Sequence, residues 1–446
     1  MTIRTHIREN FLLAYPVMLS NLGHVMMGVA DSVMVGHVSA TSLAAAGLAN
    51  VVFNVLMLFG IGVSYAITPL VATADGAGNK HGIIETLRHG LVINIVNSII
   101  LAAIVYSCKD VLYYIDQPTE VVPLSIPYLS IITFSLIPML IFQTFKQFAE
   151  GLSNTRIAMI IIIASNLVNI GLNYIMIYGH AGFPAMGLNG AGWATFLSRI
   201  FMAASFAGYI YFAPRFKQFR SGFSLGNYSK NLFNKMLHLG VPSGVQFIFE
   251  VAAFDFSLVM MGWLGTTTQA AHQIAINLAT VSYMTTAGLA AAATIRVSYF
   301  LGKMDFKNLR TAAYTMLIMA LLMMTLCALV FIIGRHWLPG LYVEDNEVIT
   351  IASSLLIIAG LFQLSDGTQV VCIAALRGLQ DVKIPSILIF ISYWIIGLPL
   401  GYWLAFVMNY GALGIWSGLL IGLTVTAAAM FFRFHSLAGK LSGIGQ

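Results

Sequence analysis

Four carboxylates stand inside long apolar stretches: Asp31 in MMGVADSVMVG, Glu250 and Asp255 in VPSGVQFIFEVAAFDF, and Asp366 in FQLSDGTQ. Arg199 is the one basic residue placed as deeply. A bare charge at the centre of a bilayer costs about 3 kcal/mol on insertion scales, so each must face a partner, a cavity or a bound cation. Two chemistries use such a carboxylate. It takes up and releases a proton, or it holds Na⁺ together with neighbouring oxygens.

The neighbours are patterned for that work. Asn166, Asn169 and Asn173 recur at i, i+3 and i+7, a single stripe of one helix. Turned towards Asp31 they would form a hydrogen-bonding network; the plainer reading is glue between helices. Gln246 lies one turn before Glu250 on the same face, whereas Asp255, five residues on, lies about 140 degrees round the helix. Gln363, Asp366 and Gln369 share a face, with Ser365 and Thr368 close by as further oxygens. These residues suggest a cation site, Na⁺ at Glu250 and Asp366, against the plainer reading of a buried pair sharing one proton. Asp255 and Arg199 are expected in a supporting shell, and the sequence leaves open whether they pair with each other.

The elements that must position these groups are membrane helices. Of the 446 residues, 59% are hydrophobic and only 9% charged, with a mean hydropathy of +0.87. A soluble domain carries about 25% charge. Twelve apolar segments fall within 12–35, 44–70, 88–107, 122–145, 157–178, 188–211, 237–262, 270–295, 311–334, 347–371, 384–406 and 411–432. Lipid leaves backbone groups without water partners, which favours helices, and the segments lack the alternation of barrel strands. With the N-terminus in the cytoplasm, nineteen of the 22 lysines and arginines fall on the inner side, and only Lys109 and Arg335 on the outer. The net charge of +6 therefore points to lipid head groups and away from nucleic acid. The first apolar run is long enough to span and no cleavage site follows it, so no cleaved leader is expected.

The chain reads as two lobes, 1–211 and 237–446, joined by a cytoplasmic linker, 212–236, with five basic residues and no acid. The linker reads first as a positive-inside anchor, and second as a lipid-facing amphipathic element. The lobes repeat. Pro16 aligns with Pro242 and Gly36 with Gly262 at an offset of 226, and GLSNTRI with GLQDVKI at 227. Both lobes start inside, so the repeats are parallel, an arrangement suited to alternating access. Glycines 60, 62, 288, 367, 397 and 401 read as sites of close helix packing.

Other chemistries lack their signatures. There is no phosphate loop, no dinucleotide fingerprint and no HExxH. Cys108, Cys327 and Cys372 have neither zinc nor disulfide spacing, and His272 reads as a packed neutral side chain. No cofactor and no enzymatic role are expected.

The opening PVMLSNLGHVMMGVADSVMVGHVSATSLAAAGLAN, together with AAHQIAIN at 270–277 and SDGTQVVCIAALRGLQD at 365–381, resembles the multidrug and toxic compound extrusion (MATE) family, closest to its NorM-like bacterial branch. The likeness covers roughly residues 8–435. It implies an all-α fold of twelve membrane helices, in two six-helix lobes related by pseudo-two-fold symmetry in a V shape. It also implies an antiporter of the bacterial inner membrane that exports amphipathic organic cations in exchange for Na⁺ or H⁺; apart from the resemblance, a monomer is expected. Asp31, Asn169 and Asn173 match the family's N-lobe acid and its partners; Glu250 and Asp366 match the C-lobe acids. Two rivals stand beside this expectation. A flippase for a lipid-linked precursor would favour several deep basic residues, and a non-transporting receptor or scaffold would have little use for buried acids in both lobes.

Overall fold

The computed structural model describes residues 1–114, 118, 120–223, 226 and 228–444, with side chains up to Leu441; Ser224, Leu225 and Asn227 of the linker lie outside the described residues. Among the described residues fifteen α-helices run in chain order: α1 (Ile3–Gly36), α2 (Ala40–Ser64), α3 (Ile67–Gly76), α4 (Lys80–Cys108), α5 (Val122–Phe134), α6 (Leu136–Gly151), α7 (Arg156–Tyr178), α8 (Gly187–Phe212), α9 (Lys230–Leu264), α10 (Thr266–Gly302), α11 (Phe306–Ile333), α12 (Asn346–Gly378), α13 (Lys383–Phe390), α14 (Leu398–Tyr402) and α15 (Gly411–Ile444). Short polar residues start several of them. Ser39 accepts from the Ser42 amide at the head of α2, Asn79 from Gly82 at α4, Asp305 from Asn308 at α11, and Asp345 from Glu347 at α12. Each supplies an acceptor for an amide that a helix start leaves unpaired.

Among the described residues, eleven helical stretches are long and apolar enough to cross a membrane; α8 makes a twelfth when counted with the 3₁₀ segment Pro214–Phe223, which turns 110° away from it. The expected twelve spans are recovered, but not as twelve smooth rods. One span is α2 with α3, and another is α5 with α6, broken beside Ser135. A third joins α13 to α14 through the π-helical segment Ile391–Gly397 and ends in a second one, Trp403–Val407. Glycine allows these wide turns to pack: a Cβ on Gly418 of α15 would land on the Gly401 backbone. The linker's 3₁₀ segment buries Phe216 and Phe219 against Phe148 of α6, so its apolar side is spent on protein.

The chain divides into two compact units. Unit 1 comprises Met1–Met18 and Val245–Gln446, and unit 2 comprises Leu19–Gly244. A cut at the linker would separate the helix starts differently. The first half of α1 packs into the core of unit 1, where Leu13, Ala14 and Met18 join Ala292, Leu356 and Trp416. The first turns of α9 belong to unit 2.

Within the units the repeat reappears as contacts. A Cβ on Gly62 would strike the Gly244 backbone in unit 2; a Cβ on Gly288 would strike Met18 in unit 1, and both members of the pair are shifted by 226. Thr68 donates to the Gln147 carbonyl at 3.1 Å, and Thr294 to the Ala374 carbonyl at 2.9 Å. Gly151 crowds Val71 as Gly378 crowds Val297. Side chains that share only an offset in sequence thus make the same contacts twice.

Candidate functional site

In unit 2, α7 carries the asparagine stripe to α1. Asn173 Nδ2 donates to Asp31 Oδ1 at 2.6 Å and to Asn169 Oδ1 at 3.2 Å. Thr195 of α8 donates to Asp31 Oδ2 at 3.1 Å. Asn166 is not part of this direct set: its Nδ2 donates to the Gly23 carbonyl of α1 at 2.8 Å, tying the two helices about two turns away. Both readings of the stripe therefore hold, at different residues. Asn169 and Asn173 are fully buried, and Asn169 Nδ2 and Asn173 Oδ1 have no protein partner, so the cluster keeps spare donors and acceptors.

Arg199 lies within electrostatic range of Asp31 without bonding to it. Its Nη1 donates to Ser135 Oγ at 2.5 Å, at the α5–α6 break, and its guanidinium sits 4.9 Å from the Phe53 ring centroid. Asp255 is exposed on α9 of unit 1.

In unit 1, α9 and α12 bring Glu250 and Gln369 together. Gln369 Nε2 donates to Glu250 Oε1 at 2.7 Å, while its Oε1 accepts from the Tyr393 hydroxyl at 3.2 Å. That polarises the amide so that its donor end faces the carboxylate. Gln246 lies one turn before Glu250 on α9 and close to it. Asp366, only 6% exposed, lies within electrostatic range of Glu250, and no described side chain donates to it. Gln363, fully buried on the same face, turns its Oε1 to Ser282 of α10 at 2.8 Å. Two expected oxygens are directed elsewhere: Ser365 bonds Thr424 at 2.8 Å and Thr368 caps the Leu364 carbonyl of its own helix. Of the three ion pairs among the described residues, none involves Asp31, Glu250 or Asp366. Two buried carboxylates within electrostatic range of each other, with no ion pair among the described residues, have the chemistry to take a proton or a metal cation.

The sequence reading missed Thr195, Tyr393 and Ser282. Tyr393 sits in the irregular α13–α14 span, where helical periodicity gives no face to assign. His272 is packed as expected, accepting from Trp416 Nε1 at 3.1 Å. Among the described residues no three His, Cys, Asp or Glu side chains cluster as a metal centre.

The MatE family profile matches residues 16–175 and again 242–403, one copy in each half of the chain. The chain belongs to the MatE family. It is 32% identical over 443 residues to the probable multidrug resistance protein NorM of Rhizobium meliloti, covering 98% of this chain and 95% of the relative. It is 35% identical over 438 residues to the multidrug resistance protein NorM of Photobacterium profundum, covering 97% and 96%. The crystal structure of the eukaryotic MATE transporter AtDTX14 superposes with a TM-score of 0.87 at 20% identity, covering 98% of both chains, and establishes the fold. The two profile segments start at Pro16 and Pro242, the prolines that mark the sequence repeat.

Proposed function

We propose that this MatE protein is a secondary active exporter of amphipathic organic cations, driven by Na⁺ or H⁺ entering in exchange. It works by alternating access in a bacterial inner membrane, with both termini cytoplasmic. The observation that carries this reading is the pair of carboxylate centres, one in each unit, that are hydrogen-bonded but not ion-paired. The curated relatives bear multidrug resistance names, which supports the substrate class.

In the cycle, a coupling ion enters from outside at Asp31, or at Glu250 and Asp366. It neutralises buried negative charge and so weakens the hold on a cationic substrate, which leaves outward. The ion-loaded carrier turns inward and releases its ion, and the freed carboxylate draws in the next substrate cation. The membrane potential adds about 2.3 kcal/mol per charge per 100 mV. No cofactor beyond the coupling ion enters this scheme. Arg199 is the one deep cation in the Asp31 centre, which gives a phosphate-bearing lipid precursor little to bind.

The test uses purified protein in liposomes with Na⁺ and H⁺ gradients imposed separately and the movement of a cationic dye measured. Dye flux against one gradient is the expected result. Asp366→Asn is expected to abolish ion-driven flux in a folded protein, and unchanged flux would sink its assigned role.

A further inference from the structure

Unit 2 holds a third group of titratable side chains, which neither carboxylate centre includes. Lys146 and Glu150, one turn apart on α6, are both about 95% buried or more. Their charges stand 3.8 Å apart, an ion pair too long for a hydrogen bond, and Glu150 Oε1 has no hydrogen-bond partner. His24 of α1 faces the Phe142 ring at 6.3 Å, and its Nε2 is buried without a partner. A buried carboxylate oxygen left unsatisfied in this way is costly.

The repeat gives these residues a meaning. The offsets that relate Gly62 to Gly288 and Gly151 to Gly378 relate His24 to Glu250, Phe142 to Gln369 and Glu150 to Arg377. In unit 1 those positions hold the carboxylate Glu250, its donor Gln369, and Arg377, which lies within electrostatic range of Glu250. Unit 2 places a base and an acid at the same positions with their charge types exchanged. The group also lies in line with Asp31. His24 is seven residues before it on the same face of α1, about 10 Å nearer the N-terminal end. Phe142 is level with His24, and Lys146 and Glu150 follow one and two turns further along α6, about 6 Å each. With the N-terminus inside, the column descends from Asp31 to the cytoplasmic end of α6. Buried atoms without protein partners mark the way: Asn169 Nδ2, Asn166 Oδ1, His24 Nε2, Gln143 Oε1 and Glu150 Oε1. Polar atoms of this kind bind ordered water.

We propose that His24, Lys146 and Glu150 form a proton-exchange site that connects Asp31 with the cytoplasm. The proton on the Asp31 carboxyl passes through water to His24 Nε2, then to the Glu150 carboxylate, and leaves to inner water; Lys146 keeps its own proton throughout. Arg199 of α8 and Lys146 of α6 both lie within electrostatic range of His24. Lys146 is the charged group within electrostatic range of Glu150 among the described residues, and Arg199 and Tyr128 of α5 are near Asp31. The site rests on the antiport reading above.

The experiment compares the wild type with Glu150→Gln and with the double variant Lys146→Met/Glu150→Gln, which leaves no lone buried charge, in liposomes. Two fluxes are read: dye movement driven by a H⁺ gradient, at several inner pH values, and dye-for-dye exchange with no gradient. The expected result is a loss of about tenfold or more in driven flux, a flattened dependence on inner pH, and unaltered dye-for-dye exchange. Driven flux and inner-pH dependence like the wild type's in the double variant would overturn the proposal and leave antiport standing. Equal loss of both fluxes would assign the site to structure and also overturn it. A wild type that moves dye by exchange but never against an ion gradient would overturn the antiport reading itself.

Discussion

At the scale of single residues, Asp31 and Glu250 solve the same problem with different donors. Asp31 collects an asparagine and a threonine, while Glu250 collects an amide whose far end is held by Tyr393. A hydrogen bond to a charged group is worth about 1.5–3 kcal/mol, and its loss leaves the acceptor buried and unpaired. Thr195→Val keeps the shape and removes one donor, so dye efflux is expected to fall by about tenfold, read as initial rate in liposomes with Asn173 intact. The asparagine stripe was legible because three costly side chains on one helix face need a common destination. Thr195 was not, because one threonine in an apolar helix satisfies itself on its own backbone as readily as it reaches another helix. Glu150 and Lys146 were hidden for another reason: at the end of a span, a lysine reads as a marker of the inner side.

At the scale of elements, hydropathy located the spans but not their breaks. An apolar run reads the same whether it is one helix or two, but Pro138 lacks the amide that would bond the Phe134 carbonyl and so marks the α5–α6 break beside Ser135. Arg199 of α8 uses the Ser135 hydroxyl at the break as a partner. The glycines were legible as packing sites but not in their partners, which are fixed by the neighbouring helix. Gly288 meets Met18 and the Ala14 carbonyl, so Gly288→Val must force α10 away from α1. Overpacking of this kind costs about 1–3 kcal/mol. The thermal unfolding midpoint in detergent is expected to drop clearly, whereas Gly28→Val, where nothing lies within 4 Å, is expected to leave it nearly unchanged.

At the scale of the whole molecule, the near-constant offset was the most informative signal, because an internal repeat carries the contacts of one unit over to the other. The orientation rests on the lysine and arginine count and is testable with a native side chain. Cys108 is exposed at the end of α4 beside Lys109, on the side assigned outside. A membrane-impermeant maleimide is expected to label whole cells at Cys108, and the signal to vanish in Cys108→Ser; labelling only in inverted vesicles would reverse the topology. What the sequence did not show is where one unit stops, since a continuous helix gives no sign that its two halves pack in different cores. That sharing of α1 sets an order of biosynthesis. Every residue of unit 2 has left the ribosome by Gly244, whereas the first eighteen residues of the chain must stay unclaimed until the second half is made. Unit 2 therefore completes first, and the earliest-made stretch of the protein is among the last to find its neighbours.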